Sequence, residues 1–147
     1  MKRNSLILAA LALVILLFGA GPAYAQQPYM FIDVPCAFTV QDTEFTAGKY
    51  EIRRLDNYGH VFVLRNMATH ATKGIITIPA VNRNYLVDSQ LVFNRYNNHD
   101  YFLAKVSLAG KSTSNELLKS RRERELALAA ADIATTRLLA KGPEPAK

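Results

Sequence analysis

The sequence predicts a mainly β protein with a C-terminal α-helix, folded as a small antiparallel β-sandwich or a partly open barrel of about seven strands. Between residues 29 and 108 the apolar residues alternate or form short runs rich in β-branched and aromatic side chains, and turn residues separate these runs. After residue 113 the composition changes to Leu, Ala, Glu, Lys and Arg, which favour helix. The sequence does not distinguish a sandwich from a barrel, because it does not show what covers the buried strands.

The N-terminus has the features of a cleaved secretory signal peptide, residues 1–25. Lys2 and Arg3 precede an apolar run, Leu6–Phe18, and an A-x-A site follows at Ala23–Ala25. The run is shorter than the roughly 20 residues that a membrane-spanning helix needs. We expect cleavage between Ala25 and Gln26, export to the periplasm or the medium, and no membrane span afterwards.

The exported chain is moderately basic. Without Lys2 and Arg3 the 18 basic residues become 16, against 12 acidic residues, so the net charge falls from +6 to +4. An exported protein meets no chromosomal DNA, which argues against a nucleic-acid partner. The length suits one domain, with a β region over 26–112, a helix over 113–141 and a flexible tail over 142–147.

Period-two patterns and turn residues place the strands. Turn formers such as Asp56–Gly59 and Asn97–Asp100 tolerate the left-handed backbone conformations that turns require. The predicted strands are Met30–Asp33, Cys36–Gln41, Lys49–Leu55, His60–Asn66, Gly74–Ile78, Leu91–Tyr96 and Tyr101–Leu108.

The last two strands form the clearest hairpin. Alternation directs Leu91 and Phe93 inward on the first strand. On the second strand the same rule directs Phe102, Ala104 and Val106 inward.

The helix is predicted to begin at a capping box. In Thr113-Ser114-Asn115-Glu116, the threonine and glutamate side chains can each bond the other's backbone N–H. Gly142-Pro143 marks the end of the helix.

The charged run Lys119–Glu125 covers the whole circumference of a helix and leaves no apolar face. It is therefore a solvated face, or it contacts the protein's own sheet, an acidic protein surface or anionic lipid. The predicted partner-contact residues are Lys119, Arg121, Arg122 and Arg124.

No catalytic, metal or cofactor site is predicted. His60, His70 and His99 lack metal-ligand spacing. Cys36, the single cysteine, shares a strand face with Phe38 and Val40, so a core position is favoured. A hydrolase that uses Cys36 with His60 or His99 is the least favoured alternative.

Several elements resemble a family of short, uncharacterised bacterial exported proteins. They are VPCAFTV at 34–40, AGKYEIRR at 47–54, LRN at 64–66, LVFNRY at 91–96 followed by YFL, and ELLKSRRERELA at 116–127. The chain departs from that pattern at Cys36, where an aromatic residue is usual, and at Thr46 and Leu118, where proline is usual. The resemblance implies export and one shared architecture, and it implies no site.

The sequence therefore predicts an exported, non-enzymatic interaction module whose partner has an acidic surface. The alternative is a β domain that binds a small apolar molecule or a glycan between sheet and helix. Tyrosines on exposed strand positions could form a sugar or peptide platform, although cross-strand packing is their commoner role; the candidates are Tyr29, Tyr58, Tyr85, Tyr96 and Tyr101.

Overall fold

The computed structural model describes residues 29–56, 58–81, 85–97, 99–129 and 133–139. The predicted signal peptide, its cleavage site at Ala25–Gln26 and the tail over 142–147 lie outside these ranges.

The predicted fold class is confirmed: strands dominate, one helix lies near the C-terminus, and the sheet is open rather than a closed barrel. The strands are β1 (Tyr29–Val34), β2 (Phe38–Val40), β3 (Thr43–Phe45), β4 (Gly48–Arg54), β5 (Val61–Asn66), β6 (Thr72–Val81), β7 (Gln90–Tyr96), β8 (Asp100–Ser107), β9 (Thr113–Leu117) and β10 (Ile133–Leu139). The helix α1 spans Arg121–Ala129.

The prediction of one helix over 113–141 is wrong. Thr113–Leu117 forms β9, between β6 and β8, and Ile133–Leu139 forms β10, beside β7. Helix propensity differs by less than about 1 kcal/mol per residue among these side chains, so pairing and burial override it. The sheet therefore has ten strands rather than about seven, and β structure continues beyond residue 112.

The sheet is antiparallel along the path β1-β4-β5-β6-β9-β8-β7-β10. Strand β7 pairs along the full length of one edge of β8. The other edge is shared, because β9 pairs with Lys105–Ser107 while β2 pairs in parallel at Phe102. The hairpin β2–β3 thus joins the sheet as a branch at β8.

The inner face of the sheet forms one hydrophobic core to which each of β1–β9 contributes. A single core shared by nine strands requires the sheet to curl around it. Its centre is aromatic: the ring of Phe38 lies 5.1 Å from that of Tyr50 and 5.4 Å from that of Phe93. Both contacts are edge-to-face, the arrangement that aromatic quadrupoles favour.

The β4–β5 turn uses the predicted turn residues. The carboxylate of Asp56 accepts hydrogen bonds from the backbone N–H groups of Gly59, His60 and Val61, each at 3.0 Å. Gly59 has φ 81°, which a glycine adopts without strain. This turn fixes where β5 begins.

Candidate functional site

The helix α1 lies against the outer face of the sheet and is held there by a buried carboxylate. Glu123 is only 4% exposed. Its Oε1 accepts hydrogen bonds from the Tyr96 hydroxyl at 3.1 Å and from Asn94 Nδ2 at 3.0 Å. One residue of the charged run thus attaches the helix to β7.

Burial and the neighbouring carboxylate keep Tyr96 protonated. Tyr96 is fully buried, and desolvation, followed by the charge and hydrogen bond of Glu123, raises its pKa to about 12. A neutral hydroxyl is a donor, which is what a carboxylate acceptor requires. The Tyr96 hydroxyl therefore remains a donor at neutral pH.

A second capping-box sequence, Ser120-Arg121-Arg122-Glu123, begins the helix. The backbone N–H of Glu123 donates to Ser120 Oγ at 3.1 Å. The Glu123 side chain does not complete the reciprocal bond, because it points to Tyr96 and Asn94 instead. The backbone N–H of Glu123 is thus part of the helix cap, while its side chain attaches the helix to the sheet.

The four predicted partner-contact residues do not share one free surface. Arg122 donates to Glu44 of β3 at 2.6 Å, and Arg121 pairs with Glu125 at 2.9 Å. Within the described ranges, Lys119 and Arg124 have no ion-pair partner. The run therefore serves the fold through Ser120, Arg122 and Glu123 and leaves two cations free.

A groove of about 600 Å³ lies beside α1 on the outer face of β10, β7, β8 and β9. We call it the helix groove. Val92 and Ala104 are among its apolar lining residues, and its cations Lys119 and Arg137 form no ion pair with any described residue. The described lining residues are Leu86, Gln90, Val92, Asn94, Ala104, Lys105, Glu116, Leu117, Lys119, Glu123, Thr135 and Arg137.

A β-bulge shapes the floor of this groove. Val92 pairs with Lys105, but Phe93 pairs with Leu103, so Ala104 is the extra residue. The bulge reverses the alternation, which places Ala104 on the outer face. Its small side chain leaves open the space above the sheet.

Sequence reasoning missed Arg137, since a helix was predicted where β10 forms. On β10 the side chains alternate between exposed and half-buried, and Arg137 is one of the exposed residues. The signal that could have found it is Thr135-Thr136, a β-branched pair that favours a strand.

The residues considered for nucleophilic or metal chemistry are scattered. Cys36 is half-buried against the core, and desolvation raises the pKa of its thiol, which weakens it as a nucleophile. His60 is half-buried, whereas His70 and His99 are exposed. In the described residues no group of His, Cys, Asp and Glu side chains could hold a metal ion.

The tyrosines do not form a shared platform. Tyr96 is buried and Tyr101 is half-buried, while Tyr58 and Tyr85 are exposed on different loops. The side chain of Tyr29 lies outside the described part. The described lining of the helix groove contains no aromatic residue.

Comparisons with protein-family models, curated proteins and solved structures returned no match. Across the described ranges, no helix has the length and apolar character needed to cross a membrane.

Proposed function

We propose that this chain is an exported, non-enzymatic interaction module that binds an acidic, extended segment of a partner protein in the helix groove. The observation that carries the proposal is the presence of Lys119 and Arg137 beside an apolar floor, without ion-pair partners in the described chain.

The charges that line the groove favour an anionic ligand. Lys105 is paired with Glu116 at 2.8 Å, so these two charges largely cancel. The carboxylate of Glu123 is engaged by Tyr96 and Asn94. Neutral donors do not cancel the charge of Glu123, but Lys119 and Arg137 outnumber it, so the lining keeps a net positive charge that attracts carboxylates.

The shape of the groove favours a chain segment over a small molecule. It crosses four strands and is open to solvent, whereas small-molecule sites enclose most of their ligand. Val92 and Ala104 offer apolar contact in the same groove as the cations, which suits a peptide with alternating acidic and small apolar side chains.

A non-enzymatic role is supported by Cys36. Its thiol is packed against the core and its pKa is raised by desolvation, so the thiolate form is disfavoured. This counts against the hydrolase alternative.

The test uses a fluorescent synthetic peptide in which Glu alternates with Ala, titrated with wild-type protein and with the double variant Lys119→Glu/Arg137→Glu. We expect the variant to bind at least roughly tenfold more weakly, because two attractive contacts become repulsive. Fluorescence anisotropy measures the dissociation constants.

The matched control is Lys49→Glu/Lys111→Glu, which makes the same change in net charge at exposed positions outside the groove. It should retain most of the affinity. Equal losses in both double variants would mean that net charge alone drives binding, and the proposal would be abandoned.

A further inference from the structure

The outer face of β4–β6 carries an exposed apolar strip that α1 does not cover. The strip consists of Leu55, Val61, Ile76 and Ile78. The backbone N–H of Leu55 donates to the carbonyl of Val61, and Val61 pairs with Ile76, so these side chains are lateral neighbours. Leu55 is 52% exposed, Ile76 is 67% exposed and Ile78 is 49% exposed.

Positive charge lies directly beside the strip. The next row of the sheet contains Arg53, Val63 and Gly74, and the row after it contains Glu51, Arg65 and Thr72. Glu51 is the one carboxylate for two guanidinium groups, at 3.4 Å from Arg53 and 4.0 Å from Arg65. The rows therefore keep a net positive charge.

A shallow depression of about 320 Å³ connects the arginines to the strip. It is lined by Leu55 and Val63 from the apolar side and by Arg53, Arg65 and His70 from the polar side. Gly74 leaves part of this surface without a side chain, since no atom lies within 4 Å of where its Cβ would be. Arg65 is oriented by a 3.0 Å hydrogen bond to His70 Nδ1.

We propose that this face docks on an anionic phospholipid bilayer. The face consists of neighbouring strands of one sheet, which suits an extended planar target, and it combines exposed apolar side chains with arginines, the pairing that anionic lipid surfaces attract. Tyr58, in the adjoining β4–β5 turn, is 87% exposed and has the amphipathic ring that favours the headgroup region.

A second copy of the chain fits this face less well. An isologous contact would bring Arg53 and Arg65 of both copies together, with only the two Glu51 carboxylates to balance them. The bilayer supplies phosphates for both arginines. This proposal is independent of the helix groove, which lies on other strands.

The test is co-sedimentation of the exported chain with vesicles of phosphatidylglycerol in phosphatidylcholine, compared with vesicles of phosphatidylcholine alone. We expect binding to the anionic vesicles, a loss of roughly fivefold for each of Arg53→Glu and Arg65→Glu, and a stronger loss in Leu55→Asp/Ile76→Asp. If the double variant misfolds, Ile76→Thr replaces it in the test. This variant keeps a β-branched strand residue, and we expect it to cause a milder loss of binding.

The matched control is Leu128→Asp on α1, where the leucine is 90% exposed and lies away from the strip. It should bind as the wild type does. Failure to bind anionic vesicles, or an equal loss in the control, overturns the proposal. So would a concentration-dependent dimer in sedimentation velocity that Ile76→Asp abolishes, because it would identify a second copy as the occupant.

Discussion

Glu123 shows how a charged residue can belong to the interior while its neighbours are solvated. In sequence it is one of several alternating charges, and nothing distinguishes it from Glu125. In the fold it accepts a hydrogen bond from Tyr96, which lies 27 positions earlier in the chain. The sequence predicted that the charged run is solvated or contacts a partner. Only the tertiary contact with Tyr96 shows that Glu123 is buried.

Tyr96 provides a pH prediction at this scale. Because its pKa is raised to about 12 in the folded protein, against about 10 in the unfolded chain, the folded state retains a proton that the unfolded state loses. The stabilising contribution should be complete below about pH 10 and disappear as the pH rises through about 12. Urea unfolding across this range measures it.

Tyr96→Phe should remove both this pH dependence and the late-titrating tyrosine in an ultraviolet titration. Tyr58→Phe is the control, since that ring is exposed and lacks the Glu123 contact. A late-titrating component that survives in Tyr96→Phe would contradict the assignment.

At the scale of elements, two segments of the sequence match the capping-box pattern that marks the start of a helix. Thr113-x-x-Glu116 and Ser120-x-x-Glu123 fit the same pattern. The first lies in β9, where Glu116 pairs with Lys105, and the second caps α1. Sequence reasoning found the helix and placed its start too early, because local patterns do not show which segment pairs with a strand.

The two motifs predict different mutational costs. Ser120→Ala should lower the free energy of unfolding by about 1 kcal/mol, because the N–H of Glu123 loses its acceptor. Thr113→Ala, at an exposed strand position, should change it by less than about 0.5 kcal/mol. Chemical denaturation measures both, and a larger loss in Thr113→Ala would disagree with the assigned helix start.

The β7–β8 hairpin was predicted correctly as an element, but the predicted inward orientation was wrong for two residues, Phe102 and Ala104. Leu91, Phe93 and Val106 lie in the core as expected. Phe102 instead packs against Tyr96 on the outer face, and Leu103 occupies the core position. The bulge at Ala104 shifts the alternation by one residue, and alternation alone cannot reveal such an insertion.

At the scale of the whole molecule, the fold class could be predicted because alternation and turn residues recur through most strands. The branch at β8 could not be predicted, because it pairs Thr39 with Phe102, which lies far away in the sequence. The helix groove depends on β10, where a helix was predicted, so the groove could not be predicted from the sequence either. Only Lys119 of its two free cations was predicted.

The open sheet predicts graded protection from hydrogen exchange. Amides of β8 should exchange more slowly than those of β10, since β8 pairs on both edges, whereas the one described ladder of β10 is with β7. Mass spectrometry of peptides from each strand makes the comparison. Equal protection of β10 and β8 would indicate that β10 gains a second ladder in solution.

The parallel pairing of β2 with β8 also sets the order in which the chain can fold. Strands β4, β5 and β6 pair with each other locally, but the hairpin β2–β3 cannot join the sheet until the distant strand β8 is in place. Until then Phe38, which belongs to the aromatic centre, lacks its contact with Phe93. Pairings this distant slow folding and lengthen the exposure of apolar strands, so the newly made chain should depend on a chaperone more than its size suggests.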